Sequence, residues 1–290
     1  MKNAADRRVF QKLQQQELDG AFLYRQIAEF TKNETDRKTL LAISQDEYKH
    51  AAIFEKYSQT KRKPNSTRVN MNVFIARLLG YTFIIKLLEN TEEKGIRDYK
   101  EDIDLIPELD DILKDEEQHE QYLLGILHED RLQHVGDIVL GMNDALVELT
   151  GSLAGYTLAM QNTSLIAMAG LITGVSATLS MTASGYFSSR ESGNKHAAKS
   201  AAYTGAAYLV TVALLILPYL LFSSKNYMWA LGTTLCIALG IIAGFNFYTS
   251  VVKGRSFRRN FLVMAGISLS VAAISFTVGL LVKNVLGISL

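Results

Sequence analysis

Apolar and polar positions interleave at the helical period through the first 135 residues, and from about residue 138 onward the apolar positions run together. In the front half, apolar residues recur three and four apart in four long patterns, roughly 3 to 31, 34 to 60, 67 to 102 and 105 to 134. The breaks carry turn chemistry. Thr31 to Glu34 offers a capping choice, Lys61 to Thr67 contains Pro64, and Asp104 to Pro107 supplies a start for the fourth helix. Connections this short imply antiparallel neighbours, hence a four-helix bundle. No run sustains a period of two, which argues against a sheet.

The back half contains five apolar stretches, roughly 138 to 161, 164 to 187, 201 to 223, 227 to 251 and 260 to 283. Each reaches the length of about 20 residues that crossing a bilayer needs. The first is the weakest by hydropathy, because it holds Asp144 and Glu148. The expected architecture is all-α: a bundle over 1–135, followed over 136–290 by a five-helix transmembrane domain.

Charge sharpens this division. All but three of the 29 acidic residues precede position 138, the exceptions being Asp144, Glu148 and Glu191; only nine of the 30 basic residues follow it. The net charge of +1 therefore describes neither half, and it gives no support to a nucleic-acid partner. Seven of those nine gather in two connections, Arg190, Lys195 and Lys199 in one, Lys253, Arg255, Arg258 and Arg259 in the other, while the remaining two loops contain only Lys225. The positive-inside rule places those connections and the N-terminus in the cytoplasm and the C-terminus outside. The first twenty residues lack the apolar core of a secretory signal, which agrees with a cytosolic bundle. The single cysteine, Cys236, excludes an intrachain disulfide, a CxxC redox pair and any cysteine-rich metal site.

A metal site must then come from carboxylates and imidazoles, and the bundle has them at a telling spacing. Glu47-Tyr48-Lys49-His50 and Glu116-Glu117-Gln118-His119 are two copies of ExxH. On a helix, residues three apart lie one turn apart on one face, so the carboxylate and the imidazole point the same way. A di-iron or di-manganese bundle takes ExxH from two helices and a glutamate from each of the other two. Glu17 on the first helix and Glu89 and Glu92 on the third complete that order. Hard oxygens with imidazole suit iron or manganese, with zinc as a substitute. Tyr24 is either a hydrogen-bond donor behind the site or a core residue.

ELDGAFLYR, DEYKHA, LLENTEE and DEEQHEQYL resemble the rubrerythrin branch of the ferritin-like superfamily. DIVLGMNDALVELTGSLAGYT followed by GVSATLSMTASGYFSS resembles the vacuolar iron transporter family. Together the combination is similar to membrane-bound ferritin-like proteins of bacteria and archaea. That resemblance implies a homodimer in the prokaryotic inner membrane, whose first spans meet along a path that exports iron or manganese. It also implies that Asp144, of Asn143-Asp144-Ala145-Leu146-Val147, and Met181 lie on that path. The family's SMAAGEY reads Ser180-Met181-Thr182-Ala183-Ser184-Gly185-Tyr186 here, without its glutamate.

An ionisable side chain inside a bilayer is a functional candidate, since an aspartate at mid-span costs about 2.5–3.5 kcal/mol on insertion scales. Asp144 and Glu148 are four residues apart on one face, where two carboxylates can bind a divalent cation and exchange it for protons. His134 and Asp137, with His128, Glu129 and Asp130 before them, form either a relay for ions or a polar collar at the membrane surface. The leading expectation is proton-coupled export of Fe2+ or Mn2+, with the bundle capturing or sensing the metal. The alternative is a membrane-anchored ferroxidase or peroxidase; whether the chain is also an enzyme stays open.

Overall fold

The structure, a computed structural model, describes residues 4–88, 106–126 and 134–286. Every regular element among these residues is helical. Two compact units divide the chain, Met1–Leu132 and Gln133–Leu290.

The first unit contains α1 (Ala4–Phe30), α2 (Glu34–Ser58), α3 (Ser66–Leu79) and α4 (Leu109–Ile126). α1 packs on both α2 and α3, and α2 also packs on α4. The buried stripe of α1 runs Phe10, Leu13, Gln14, Ala21, Tyr24, Ile27 and Ala28, the three-and-four spacing of an amphipathic helix. Phe10 meets Phe54 and Tyr57 of α2, with ring centroids 6.4 and 5.3 Å away. Ile106, Leu109 and Ile112 close this end of the core.

Polar residues fix the turns. Asn33 caps α2 by accepting from the backbone N–H groups of Thr35 and Asp36, and Asn65 caps α3 through the N–H of Arg68. The buried Gln14 amide donates to the Thr60 carbonyl at 3.0 Å and accepts from Ser58 Oγ at 2.6 Å, tying the end of α2 to α1. Asp19 accepts from the Asn65 N–H at 2.7 Å and so pins the start of α3.

The third pattern departs from a continuous helix. α3 stops at Leu79, Gly80 takes φ of 101°, and a helix resumes over 81–88. Side-chain periodicity runs straight through this break, since a positive φ leaves no trace in the apolar pattern. Residues 89–102 of that pattern lie outside the described residues.

The second unit contains α5 (Val135–Met160), α6 (Thr163–Glu191), α7 (Ala197–Leu221), α8 (Tyr227–Lys253) and α9 (Phe257–Leu286), with a single 3-10 turn at Ser224–Asn226. α6, α7, α8 and most of α9 are long and apolar enough to cross a membrane, with mean hydropathies between 1.6 and 2.1. Their outward faces are apolar too. Leu171, Leu179, Leu220, Trp229 and Leu262 are all more than half exposed, the inverse of a water-soluble surface. α5 does not qualify by composition, since it carries Asp137, Asp144 and Glu148. It is nonetheless the hub, in contact with α6, α7, α8 and α9, and Ala145, Leu146, Leu149 and Leu153 are wholly buried.

Backbones approach closely around this hub. A Cβ at Gly141 would collide with the Thr204 carbonyl oxygen of α7; one at Gly279 of α9 would meet the Gly155 carbonyl at 2.5 Å. The Gly151 and Gly155 pair thus serves contact between α5 and α9 within one chain, whereas Gly240 and Gly244 have nothing within 4 Å. Gly141→Ala is expected to lower the melting temperature in detergent sharply, because the obstacle is backbone and overpacking costs about 1–3 kcal/mol or more. Gly240→Ala should leave it level or raise it, since alanine favours a helix. Equal melting of the two variants would contradict this packing.

Hydroxyls in the membrane unit are satisfied within it. Thr150 and Thr157 donate to carbonyls one turn back at 2.6 Å each. Each also reaches a neighbouring helix, Thr150 to Ser268 Oγ at 3.0 Å and Thr157 to the Tyr219 hydroxyl at 2.6 Å. With no water in a bilayer core, such internal partners are obligatory.

Candidate metal centre

In the bundle, α1, α2 and α4 bring Glu17, Glu47, His50 and Glu116 together, with one ligand atom from each within 4.8 Å of all the others. Glu47 and His50 project from one face of α2, and Glu116 and His119 from one face of α4, as i, i+3 pairs. His119 sits beside them. Its Nδ1 is 3.6 Å from Glu47 Oε1 and 3.7 Å from Glu116 Oε2, and its ring centroid lies 6.0 Å from that of His50. Glu89 and Glu92 fall outside the described residues. Tyr24 is buried.

The orientation of the two imidazoles matters most. His50 Nδ1 lies 3.1 Å from Glu116 Oε1 and 3.7 Å from Glu17 Oε2. Both Nδ1 atoms are buried, point toward carboxylates and make no hydrogen bond of good geometry. Buried polar atoms without partners are rare and call for an explanation. Imidazole nitrogens converging with carboxylate oxygens form the donor set of a hard-to-borderline divalent ion, so the residues fit an iron or manganese site.

The opposite ring nitrogens are held by aspartates on the facing helix. His50 Nε2 is 3.2 Å from Asp115 Oδ2, and His119 Nε2 is 3.5 Å from Asp46 Oδ2. Each aspartate immediately precedes the glutamate of its own helix, so the repeated unit is DExxH, and each copy steadies the histidine of the other. Carboxylates behind histidine ligands fix the ring and raise its basicity. Reading ExxH alone misses Asp46 and Asp115; the signal was the identical residue one place before each glutamate. Asp115→Asn is expected to weaken Mn2+ binding to the bundle by about 10–100-fold, measured by electron paramagnetic resonance titration. A change under twofold would remove Asp115 from this role.

Electrostatics follow the geometry. Burial opposes charge on His50, but the Glu116 and Glu17 carboxylates beside it outweigh that and push its pKa up to about 10. Burial likewise opposes charge on Glu116, and the adjacent imidazoles of His119 and His50 pull its pKa down to about 2. His119 is raised against the same opposing burial, by Glu116 first and then Asp46. Without metal, the centre is thus built around an imidazolium at His50 set between the Glu116 and Glu17 carboxylates.

In the membrane unit, Asp144 and Glu148 both emerge on the exposed side of α5. The hydroxyl of Tyr208, a wholly buried residue of α7, donates to Glu148 Oε2 at 2.6 Å. Sequence reading missed Tyr208, because no local spacing links α7 to α5. Met181 packs against the core and lines a cavity of about 490 Å³ between the ends of α5, α6 and α7.

Residues 135–198, which span α5, α6 and the start of α7, match the VIT family. No curated protein and no solved structure matches the chain. The family match and the four apolar helices indicate a multi-pass membrane protein of the metal-transporting kind.

Proposed function

We propose that this chain moves divalent iron or manganese across a membrane, in exchange for protons, with the bundle taking up or sensing the metal on the cytoplasmic side. The observation that carries the reading is the pairing of Asp144 and Glu148 on one face of α5, inside the segment that matches the VIT family. Two carboxylates in a helix at the heart of a lipid-facing unit are costly unless they are used.

In this reading α5 is a fifth span despite its polar residues, because it packs against each of α6 to α9. Asp144 and Glu148 accept the cation and are neutralised by protons when it leaves. Tyr208 keeps Glu148 in place through its hydrogen bond. The exposed carboxylate face calls for cover in a bilayer, which a second copy of the chain supplies in a homodimer. Basic residues in the α6–α7 and α8–α9 connections set the orientation, with the N-terminus inside. In the bundle, Glu17, Glu47, His50, Glu116 and His119 would hold the metal; a bound iron or manganese supplies a redox-capable cation there, and the two aspartates orient its imidazoles.

Purified protein in proteoliposomes tests this. Mn2+ or Fe2+ flux that rises with an imposed pH gradient is expected, and absence of flux would overturn it. Iron oxidation coupled to oxygen consumption, without flux, would instead support a membrane-anchored ferroxidase.

A further inference from the structure

The cavity between the ends of α5, α6 and α7 plays no part in the reading so far beyond its contact with Met181. It measures about 490 Å³, and its wall includes His134 and Asp137 of the α5 start, Ser184 and Ser188 of α6, and His196 and Ser200 at the start of α7. The buried His134 ring stacks on Tyr203 with centroids 4.7 Å apart, and its Nδ1 lies 2.9 Å from Asp137 Oδ2, which fixes the carboxylate in place.

Three features say what such a cavity can take. Its volume far exceeds that of a bare ion, whereas an ion with six waters needs about 180 Å³ at roughly 30 Å³ per water. Its wall sets hydroxyls, an amide and two imidazoles among the apolar Leu140 and Met181, around a single formal charge, Asp137. Such groups bind an ion's water shell from outside, through hydrogen bonds. Finally, among the described residues, the cluster whose ligand atoms converge for direct coordination is in the bundle and shares no residue with this cavity.

The local field agrees. α6 ends at the cavity, and a helix C-terminus attracts cations. Of the opposing N-terminal ends, that of α5 carries Asp137 in its first turn, whereas that of α7 has neither an acidic residue nor a side-chain cap. Arg190, Lys195 and Lys199 are exposed, do not line the cavity and are accompanied by Glu191. Their charge is screened over about 8 Å at physiological salt. Asp137 and Asp144 are seven residues apart on α5, hence on one side of the helix and about 10.5 Å along it.

We infer that this cavity is a vestibule for a hydrated divalent cation, which Asp137 and the surrounding hydroxyls hold by its water shell before the ion sheds water at Asp144 and Glu148. The inference rests on the transport reading for its purpose, and on the cavity alone for its binding.

Hexamminecobalt(III), an inert mimic of a hexahydrated cation that cannot exchange its ligands, is the probe. Calorimetric titration into the full-length protein in detergent is expected to show a saturable site that survives Glu47→Ala with Glu116→Ala in the bundle. Binding should weaken at least tenfold in Asp137→Asn and in Ser188→Leu, which fills the cavity from its exposed rim. In proteoliposomes the probe should inhibit Mn2+ flux without itself crossing. No saturable binding, or binding indifferent to both cavity variants, overturns the vestibule. Flux without such binding overturns it while leaving the transport reading standing; binding without Mn2+ flux does the reverse.

Discussion

Asp144→Ala is expected to abolish metal flux in proteoliposomes while leaving the protein at least as stable as its parent. Removing an aspartate from a span relieves an insertion cost of about 2.5–3.5 kcal/mol, so lost flux could not be ascribed to unfolding. Asp144 shares its exposed face with Glu148, whose Oε2 is occupied by the Tyr208 hydroxyl. Of the two carboxylates, Glu148 is the anchored one. Tyr208→Phe should therefore have a graded effect, raising the KM for Mn2+ by about 10–100-fold, since a hydrogen bond to a charged group contributes about 1.5–3 kcal/mol. Undiminished flux in Asp144→Ala would end the proposed mechanism, and an unchanged KM in Tyr208→Phe would end the anchoring role.

The second large effect is on the bundle, where metal binding is expected to strengthen steeply with pH. Imidazole ligates only when neutral, yet His50 has its pKa pushed up to about 10 and that of His119 is also raised. At neutral pH an incoming Mn2+ must displace the proton of His50 before that ring can ligate. The limiting slope is about tenfold in affinity per pH unit for each proton that leaves. Titration in buffers of different ionisation enthalpy measures that release, and release of none would contradict the geometry. The stability of the metal-free bundle runs the other way. The contribution of His50 is complete below the unfolded value near 6.5 and is lost as pH rises toward about 10. That of Glu116 is complete above the unfolded value near 4.5 and is lost as pH falls toward about 2. Denaturant midpoints of the metal-free protein should accordingly peak between about pH 4.5 and 6.5.

Much of this was legible in the residues themselves. Helical period and length place the ends of α1, α2 and α5 to α9 within a few residues, because burial on one face writes a period and a bilayer writes a length. Positions that depend on backbone dihedrals or on contacts between distant helices were not legible. Gly80 breaks the third helix without disturbing its apolar pattern. The two ExxH copies offer four candidate ligands from spacing alone, and the structure brings Glu17 to three of them. That Asp115 attends His50, and Asp46 His119, depends on how α2 and α4 face each other, which no single-helix pattern records. Tyr208 is similar: an isolated tyrosine in an apolar run reads as packing until α7 is laid beside Glu148.

The close approach of Gly141 to Thr204 and of Gly155 to Gly279 limits how the membrane unit can move. Backbones in contact leave no side chains to slide or repack, so α5 cannot rock independently of α7 and α9. Any cycle that turns Asp144 from one side of the bilayer to the other must carry these three helices as one body. α6 travels with them, since Gly205 of α7 lies against Thr182 of α6 and Gly174 of α6 lies against Val212 of α7. A crosslink between α5 and α9 should therefore leave transport intact.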